Sequence, residues 1–297
     1  MTAASEGIRF EAESILECAN ELGEGPVWDA ARELLIWVDI FAGTVESLDR
    51  DGRHDRRRYE GQVAAIAPRR GGGAVIAVER RLLAIDDDGT LLGELAAVEE
   101  DLPDNRFNDC RCDPQGRLWA GTLSRIRNEG DGCLYMFDGE RPPRPMVTGT
   151  TISNGIGWDP GGGWMYFVDS LTQRLDAYEF DPADGSLGER RTVAEIDPER
   201  GLPDGLAVDA EGGVWLAMFG GGTVDRFSPE GEVEAVIELP VANPTCPAFG
   251  GPSLETLYVT SSIHREPPEY FDPSPLGGAL FACEPGVAGA PVPPFAG

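Results

Sequence analysis

Asn154-Gly-Ile-Gly-Trp-Asp159 leads through Pro160-Gly-Gly-Gly163 into Trp164-Met-Tyr-Phe-Val168. A polar residue opens the stretch, an Asp-Pro-Gly-Gly turn divides it, and an apolar, aromatic strand closes it. Asp and Pro start such turns and Gly supplies their positive φ. The pattern returns on either side, as Glu24-Gly-Pro-Val-Trp-Asp29 before Leu35-Ile-Trp-Val38 and as Asp204-Gly-Leu-Ala-Val-Asp209 before Val214-Trp-Leu-Ala217. Val75-Ile-Ala-Val78, Leu118-Trp-Ala120 and Leu257-Tyr-Val259 complete a set of six strands. Their markers Ile36, Val75, Trp119, Tyr166, Trp215 and Tyr258 stand 39, 44, 47, 49 and 43 residues apart. A repeat of roughly 40 to 50 residues with Gly-bounded strands is the signature of a propeller.

Six markers imply an all-β, six-bladed β-propeller, with residues 1–297 as one domain. A β-sandwich also has short strands and turns but lacks the long even period. Segment 8–16 precedes the first turn without a blade of its own. It is expected as the outer strand of the last blade, beside 278–283, so that the two chain ends close the ring and protect the sheet edges. The Pro-rich stretch 285–297 reads as a surface tail. The long, aromatic and proline-rich segment 263–276 reads as a cover for one mouth.

Composition narrows the function. A net charge of −28 opposes nucleic acid. All 24 basic residues are Arg, so a Schiff-base or P-loop lysine is excluded. No stretch approaches the roughly 20 apolar residues of a membrane span, and residues 1–7 do not resemble a signal peptide. A cytoplasmic protein is expected, with no membrane or protein partner. The six cysteines form no CxxC pair and read as buried reduced thiols, Cys110 and Cys112 being a weak metal candidate. The acidic runs 86–88 and 99–101 read as solvated faces, and the six tryptophans as blade packing. Asp39 and Asp169, each just past an equivalent strand, read as turn-holding residues.

Glu24, Asn154 and Asp204 open three copies of the repeat. In a propeller such positions face the axis near one mouth, beside Asn108 and opposite Ala64 and Thr245. Two carboxylates and an amide oxygen suit a hard divalent cation. Calcium comes first, with magnesium, manganese, zinc or iron as alternatives. Taken singly, Asn-Gly and Asp-Gly also serve merely as turns. His54 and His264 lie outside the repeated positions, which excludes a histidine-based zinc site and leaves little for Ser-His-Asp chemistry.

The motifs Leu22-Gly-Glu24-Gly-Pro-Val-Trp28, Arg106-Phe-Asn108-Asp109, Ser153-Asn154-Gly155, Pro203-Asp204-Gly205 and Pro275-Leu-Gly-Gly-Ala-Leu-Phe281 resemble the family of gluconolactonase, regucalcin (senescence marker protein) and luciferin-regenerating enzyme. The resemblance runs through essentially the whole chain. It implies a six-bladed propeller with Glu24, Asn154 and Asp204 as metal ligands, Arg106 and Asn108 on the substrate, and hydrolysis of an aldonolactone to the aldonic acid. Arg106 has an alternative partner in Asp101 or Asp104. One departure stands out. After Gly121-Thr122 some relatives carry an acidic residue on the substrate hydroxyls, whereas here the run is Leu123-Ser124-Arg125-Ile126-Arg127. Ser124 would offer a hydrogen bond and Arg125 would reverse the local charge. Asp204 is the candidate base for the attacking water. Two other functions fit the same residues, organophosphate hydrolysis and non-catalytic calcium binding.

Overall fold

The computed structural model describes residues 7–264, 268 and 271–297. Six sheets account for nearly all of it, and the helical pieces include the short 3-10 turns Ser170–Thr172 and Pro198–Arg200. Each of the six markers lies on the second strand of its own blade, and the inner strands are Gly23–Asp29, Val63–Pro68, Asn105–Cys112, Ser153–Trp158, Leu202–Val208 and Pro244–Gly250. The fold is a six-bladed β-propeller.

The Asp that opens the inter-strand turn does more than start it. Asp113 accepts the backbone N–H groups of Gln115 and Arg117 and the indole N–H of Trp119. Asp209 does the same for Glu211, Gly213 and Trp215. One carboxylate therefore caps the turn and fixes a fully buried tryptophan on the following strand. Trp37, Trp119 and Trp215 are all buried inside the blades, as blade-packing residues should be. Six apolar clusters fill the six seams between neighbouring blades.

The ring closes as expected, with one difference. Glu13–Leu16 pairs antiparallel with Leu280–Cys283 as the outer strand of the sixth blade. Ile8–Glu11 leaves that sheet and adds, parallel, to Val233–Glu238 as a fifth strand of blade five. Segment 8–16 is thus two strands on two blades, divided at buried Ala12, whose N–H bonds to the carbonyl of Glu238.

The chain end corrects a second expectation. Residues 285–297 form a strap across the far mouth of the channel. Gly289 bridges to Asp209 and Phe295 to Arg69, and further backbone bonds reach Val208, Leu254, Pro68 and Gly116. Phe295 is fully buried and stacks on Phe137 at 5.6 Å. Under the strap lies an apolar cavity of about 300 Å³, lined in part by Trp28, Trp158, Phe249 and Pro291. Above it Arg111 reaches across the channel to the carbonyls of Pro26 and Leu206, at 3.2 and 3.3 Å.

All six cysteines are free and buried. Burial pushes the Cys112 thiol up to about 12, and Cys110 and Cys112 pack in the apolar seam between blades two and three, so neither presents a thiolate to a metal. Glu99 departs from the solvated-face reading. It accepts from Asn105, Thr122 and Tyr135, which its position in an acidic run did not announce.

Candidate active site at the channel mouth

Every inner strand is bulged at one equivalent point. The register with the second strand slips at Glu24/Val27, Val63/Ala65, Phe107/Cys110, Ser153/Ile156, Pro203/Leu206 and Pro244/Pro247. The residues at the slip are Glu24, Ala64, Asn108, Asn154, Asp204 and Thr245. A bulge bends a strand and re-aims the side chain it carries, and here it sends one side chain per blade toward the axis. The residue after it must be small where neighbouring strands crowd together. A Cβ on Gly205 would sit 2.4 Å from Cys246 Sγ, and one on Gly155 would sit 2.7 Å from the Asp204 carbonyl oxygen. The Gly that follows Asn154 and Asp204 is therefore a requirement of the channel, not the mark of a turn.

Asp39 and Asp169 hold these strand openings. Asp39 accepts the N–H groups of Glu21 and Leu22, three and two residues ahead of Glu24. Asp169 accepts those of Thr151 and Ile152, which stand in the same relation to Asn154. Two blades use one device to fix a polar residue at the mouth.

One cavity of about 270 Å³ brings together Glu24, Arg106, Asn108, Ser124, Asn154 and Asp204, every residue that the sequence placed at a site. Asn154 Oδ1 accepts from Asn108 Nδ2 at 3.0 Å, and Asn154 Nδ2 donates to Ser170 at 3.0 Å. Arg106 Nη1 donates to Asn108 Oδ1 and to the Phe107 carbonyl, each at 2.8 Å. Among the described residues Arg106 makes no ion pair with Asp101 or Asp104, and its charge faces Glu24 and Asp204 instead. Ser124 Oγ is buried, lines the cavity and has no hydrogen-bond partner.

The electrostatics are those of acids held in a dry place. Burial, reinforced by the charge of Asp109, lifts the Glu24 carboxyl from 4.5 to about 8. Burial, then the charges of Glu24 and Asp109, lifts Asp204 well above its ordinary value. Burial brings Arg106 down to about 10 against the pull of both acids. Asp204 Oδ1 is buried with no hydrogen-bond partner. Two neighbouring buried carboxyls, one with an orphan oxygen, form a costly arrangement unless positive charge is supplied. With the Asn154 amide oxygen they make a set of hard oxygen donors, which fits a divalent cation of the calcium or magnesium type. Among the described residues no three His, Cys, Asp or Glu side chains are grouped to hold a metal ion, so the set reaches three only through that amide.

Among the further residues that line the cavity are Phe41, Phe219 and His264. The sequence assigned none of them a role in the site, though it set His264 in the segment expected to cover a mouth. The His264 ring meets Phe41 and Phe219 edge-on at 5.6 and 5.5 Å. Phe41 and Phe219 stand at or just past the ends of second strands, near the place that Leu123 and Ser124 take on blade three, and that position was the available signal. His264 belongs to segment 263–276, the expected cover, of which 265–267, 269 and 270 lie outside the described residues.

Residues 22–263 match the SMP-30/Gluconolactonase/LRE-like region. The chain is 38% identical to 6-deoxy-6-sulfogluconolactonase of Pseudomonas putida, over 93% of this chain and 95% of the relative. It is 33% identical to regucalcin of Gallus gallus, over 95% and 98%. A crystal structure of a calcium-binding protein, regucalcin, from Agrobacterium tumefaciens superposes with a TM-score of 0.90 at 30% identity, over 98% of this chain and 99% of that one.

Proposed function

The chain belongs to the SMP-30/gluconolactonase/LRE-like family, and on that premise we propose that it is a lactonase, opening a sugar lactone to the aldonic acid with the help of one divalent cation, calcium first. The observation that carries the reading is the convergence of Glu24, Asn154 and Asp204 with Arg106, Asn108 and Ser124 in one cavity, with an Asp204 oxygen lacking any partner. Relatives named as lactonases support the substrate class, and the calcium-binding regucalcin structure supports the ion.

Glu24, Asn154 and Asp204 would hold the cation. When bound, it would supply positive charge against the oxyanion that develops at the lactone carbonyl, a contribution of several kcal/mol in such reactions. The residues of the chain do the rest. Arg106 is fixed by Asn108 and the Phe107 carbonyl through one nitrogen, and its remaining N–H groups are available to the ring hydroxyls of the substrate. Asn108 spends its amide N–H groups on Asn154 and the Ser153 carbonyl, so it orients both the cation-holding amide and the arginine. Ser124 contributes a hydroxyl already stripped of water. Asp204 accepts a proton from the attacking water through an oxygen not held by the cation and returns it to the ring oxygen as the bond to the carbonyl carbon breaks, and Phe41, Phe219 and His264 wall the mouth against solvent.

Asp204→Ala tests the reading. Acid release from gluconolactone and xylonolactone, followed by pH-stat beside a phosphotriester under the same metal condition, should be strong for the lactones and fall to the spontaneous rate in the variant. Faster phosphotriester turnover would favour the organophosphate alternative. Calcium binding without acid release above background would favour a binding protein.

A further inference from the structure

The inner strands carry a second set of side chains above the ring at the axis. They run from this mouth toward the strap, which bonds near their far ends at Pro68 and Val208, so earlier residues lie nearer the mouth. Leu22, Gln62, Arg106, Ile152 and Leu202 stand two positions ahead of Glu24, Ala64, Asn108, Asn154 and Asp204, and all five line the cavity. The blades that bear the three cation-holding side chains, one, four and five, place Leu22, Ile152 and Leu202 above them. Blades two and three place Gln62 and Arg106. The upper cavity is thus divided into an apolar arc over the cation ligands and a polar arc on the other side.

The packing of the fold does not use up the apolar arc. Phe41 and Phe219, from the ends of the second strands of blades one and five, extend it. Phe41, Ile152 and Leu202 belong to none of the six clusters that fill the seams, and Phe41 is 36% exposed. Apolar surface gathered in a concave site and left outside the core is a feature of ligand pockets. The polar arc is of the opposite character. Arg106 has N–H groups beyond those given to Asn108 and the Phe107 carbonyl, and the Ser124 hydroxyl lies on the same side. A ligand hydroxylated all round would press hydroxyls against Leu, Ile and Phe side chains, which offer them no hydrogen bond, and lose their hydration without return.

We propose that the preferred substrate is a two-sided lactone, with ring hydroxyls toward Arg106 and Gln62 and an apolar terminal group, a methyl or other alkyl substituent, against Leu22, Ile152, Leu202 and Phe41, as in the lactone of a deoxy sugar acid. The proposal rests on the lactonase reading and deepens it. With the carbonyl over Glu24, Asn154 and Asp204, the ring lies across the boundary between the two arcs. Its hydroxylated edge meets donors, and the carbon beyond the ring meets the apolar wall. Ile152 and Leu202 then act as specificity residues, two positions from a cation ligand on the same strand and separate from the chemistry.

The test measures kcat/KM above the spontaneous rate, in calcium, for three lactones. They are gluconolactone, its 6-deoxy counterpart, in which a methyl replaces the terminal hydroxymethyl, and δ-hexanolactone, which keeps that methyl and has no ring hydroxyls. The 6-deoxy lactone should lead gluconolactone by about tenfold or more, and the lead should survive high salt because no charge carries it. δ-Hexanolactone should trail the 6-deoxy lactone by about a hundredfold or more, since it leaves the polar arc unpaired. Ile152→Thr and Leu202→Asn should each lower the ratio of 6-deoxy lactone to gluconolactone by about tenfold, with circular dichroism and calorimetric calcium binding retained. Gluconolactone equal or preferred, or a ratio unchanged in both variants, would overturn the inference and leave the lactonase reading standing. So would δ-hexanolactone turned over as fast as the 6-deoxy lactone. Hydrolysis of none of the three would overturn both.

Discussion

Replacing Glu24 with Gln should make the cation-free protein more stable at neutral pH. Burial and the neighbouring Asp109 raise the Glu24 carboxyl from 4.5 to about 8. An acid raised in this way binds its proton more tightly in the folded state, so stability is complete below 4.5 and falls as the pH climbs toward 8. Each pH unit in that window costs about 1.4 kcal/mol, which sets an upper limit of roughly 4 to 5 kcal/mol for the loss. The charge of Glu24 also raises Asp204, so the two acids titrate together and the expected difference is about half of that limit. Gln removes the charge, and its carbonyl can still accept the Gly25 N–H that lies 3.0 Å from Oε2. Urea unfolding in excess chelator should find the two proteins alike at about pH 5 and the variant ahead by roughly 2 kcal/mol at about pH 8. Calcium at a hundredfold excess over its dissociation constant should add about 2.7 kcal/mol to the wild type and little to the variant. A variant less stable than wild type by the same margin at both pH values would refute the argument, because the carboxyl would then be held by contacts rather than strained by charge.

Three further outcomes follow from named contacts. Asp169→Ala leaves the Thr151 and Ile152 N–H groups without their acceptor, so calcium affinity measured by calorimetry should fall by about tenfold or more without any change in the ligand set. Arg106→Gln removes a positive charge that faces Glu24 and Asp204, so calcium should bind more tightly while lactone kcat/KM falls about a hundredfold. A fall in both would instead make Arg106 part of the support for the cation. Phe295→Ala should cost about 3 to 5 kcal/mol in urea unfolding, since the ring is fully buried on Phe137. A loss below about 1 kcal/mol would return the strap to the status of a tail.

The blades were legible because each is announced locally. Asp113 and Asp209 start turns that the sequence marks with Pro and Gly, and Trp119 and Trp215 follow at a fixed distance to receive the indole bond. The candidate site was legible for the same reason, since a position repeated in the chain is repeated around the axis. The bulges were not, because a register slip between paired strands leaves no trace in either strand alone. The strap was misread from composition. Proline and glycine usually mark exposed loops, but here they form a run tied down by backbone bonds to the blades, whose single aromatic, Phe295, reaches a seam between blades. Segment 8–16 looked continuous because nothing in it breaks a strand, and only the parallel docking of Ile8–Glu11 on blade five divides it. His264 has no repeated counterpart, so periodicity gave it no place at the mouth.

The most direct test is to strip the protein with chelator and follow acid release from gluconolactone by pH-stat while calcium is titrated back. The account predicts a spontaneous rate at the start and a plateau at one ion per chain, with no plateau in Asp204→Ala. Full lactone turnover by the stripped protein, unchanged through the titration, would contradict it.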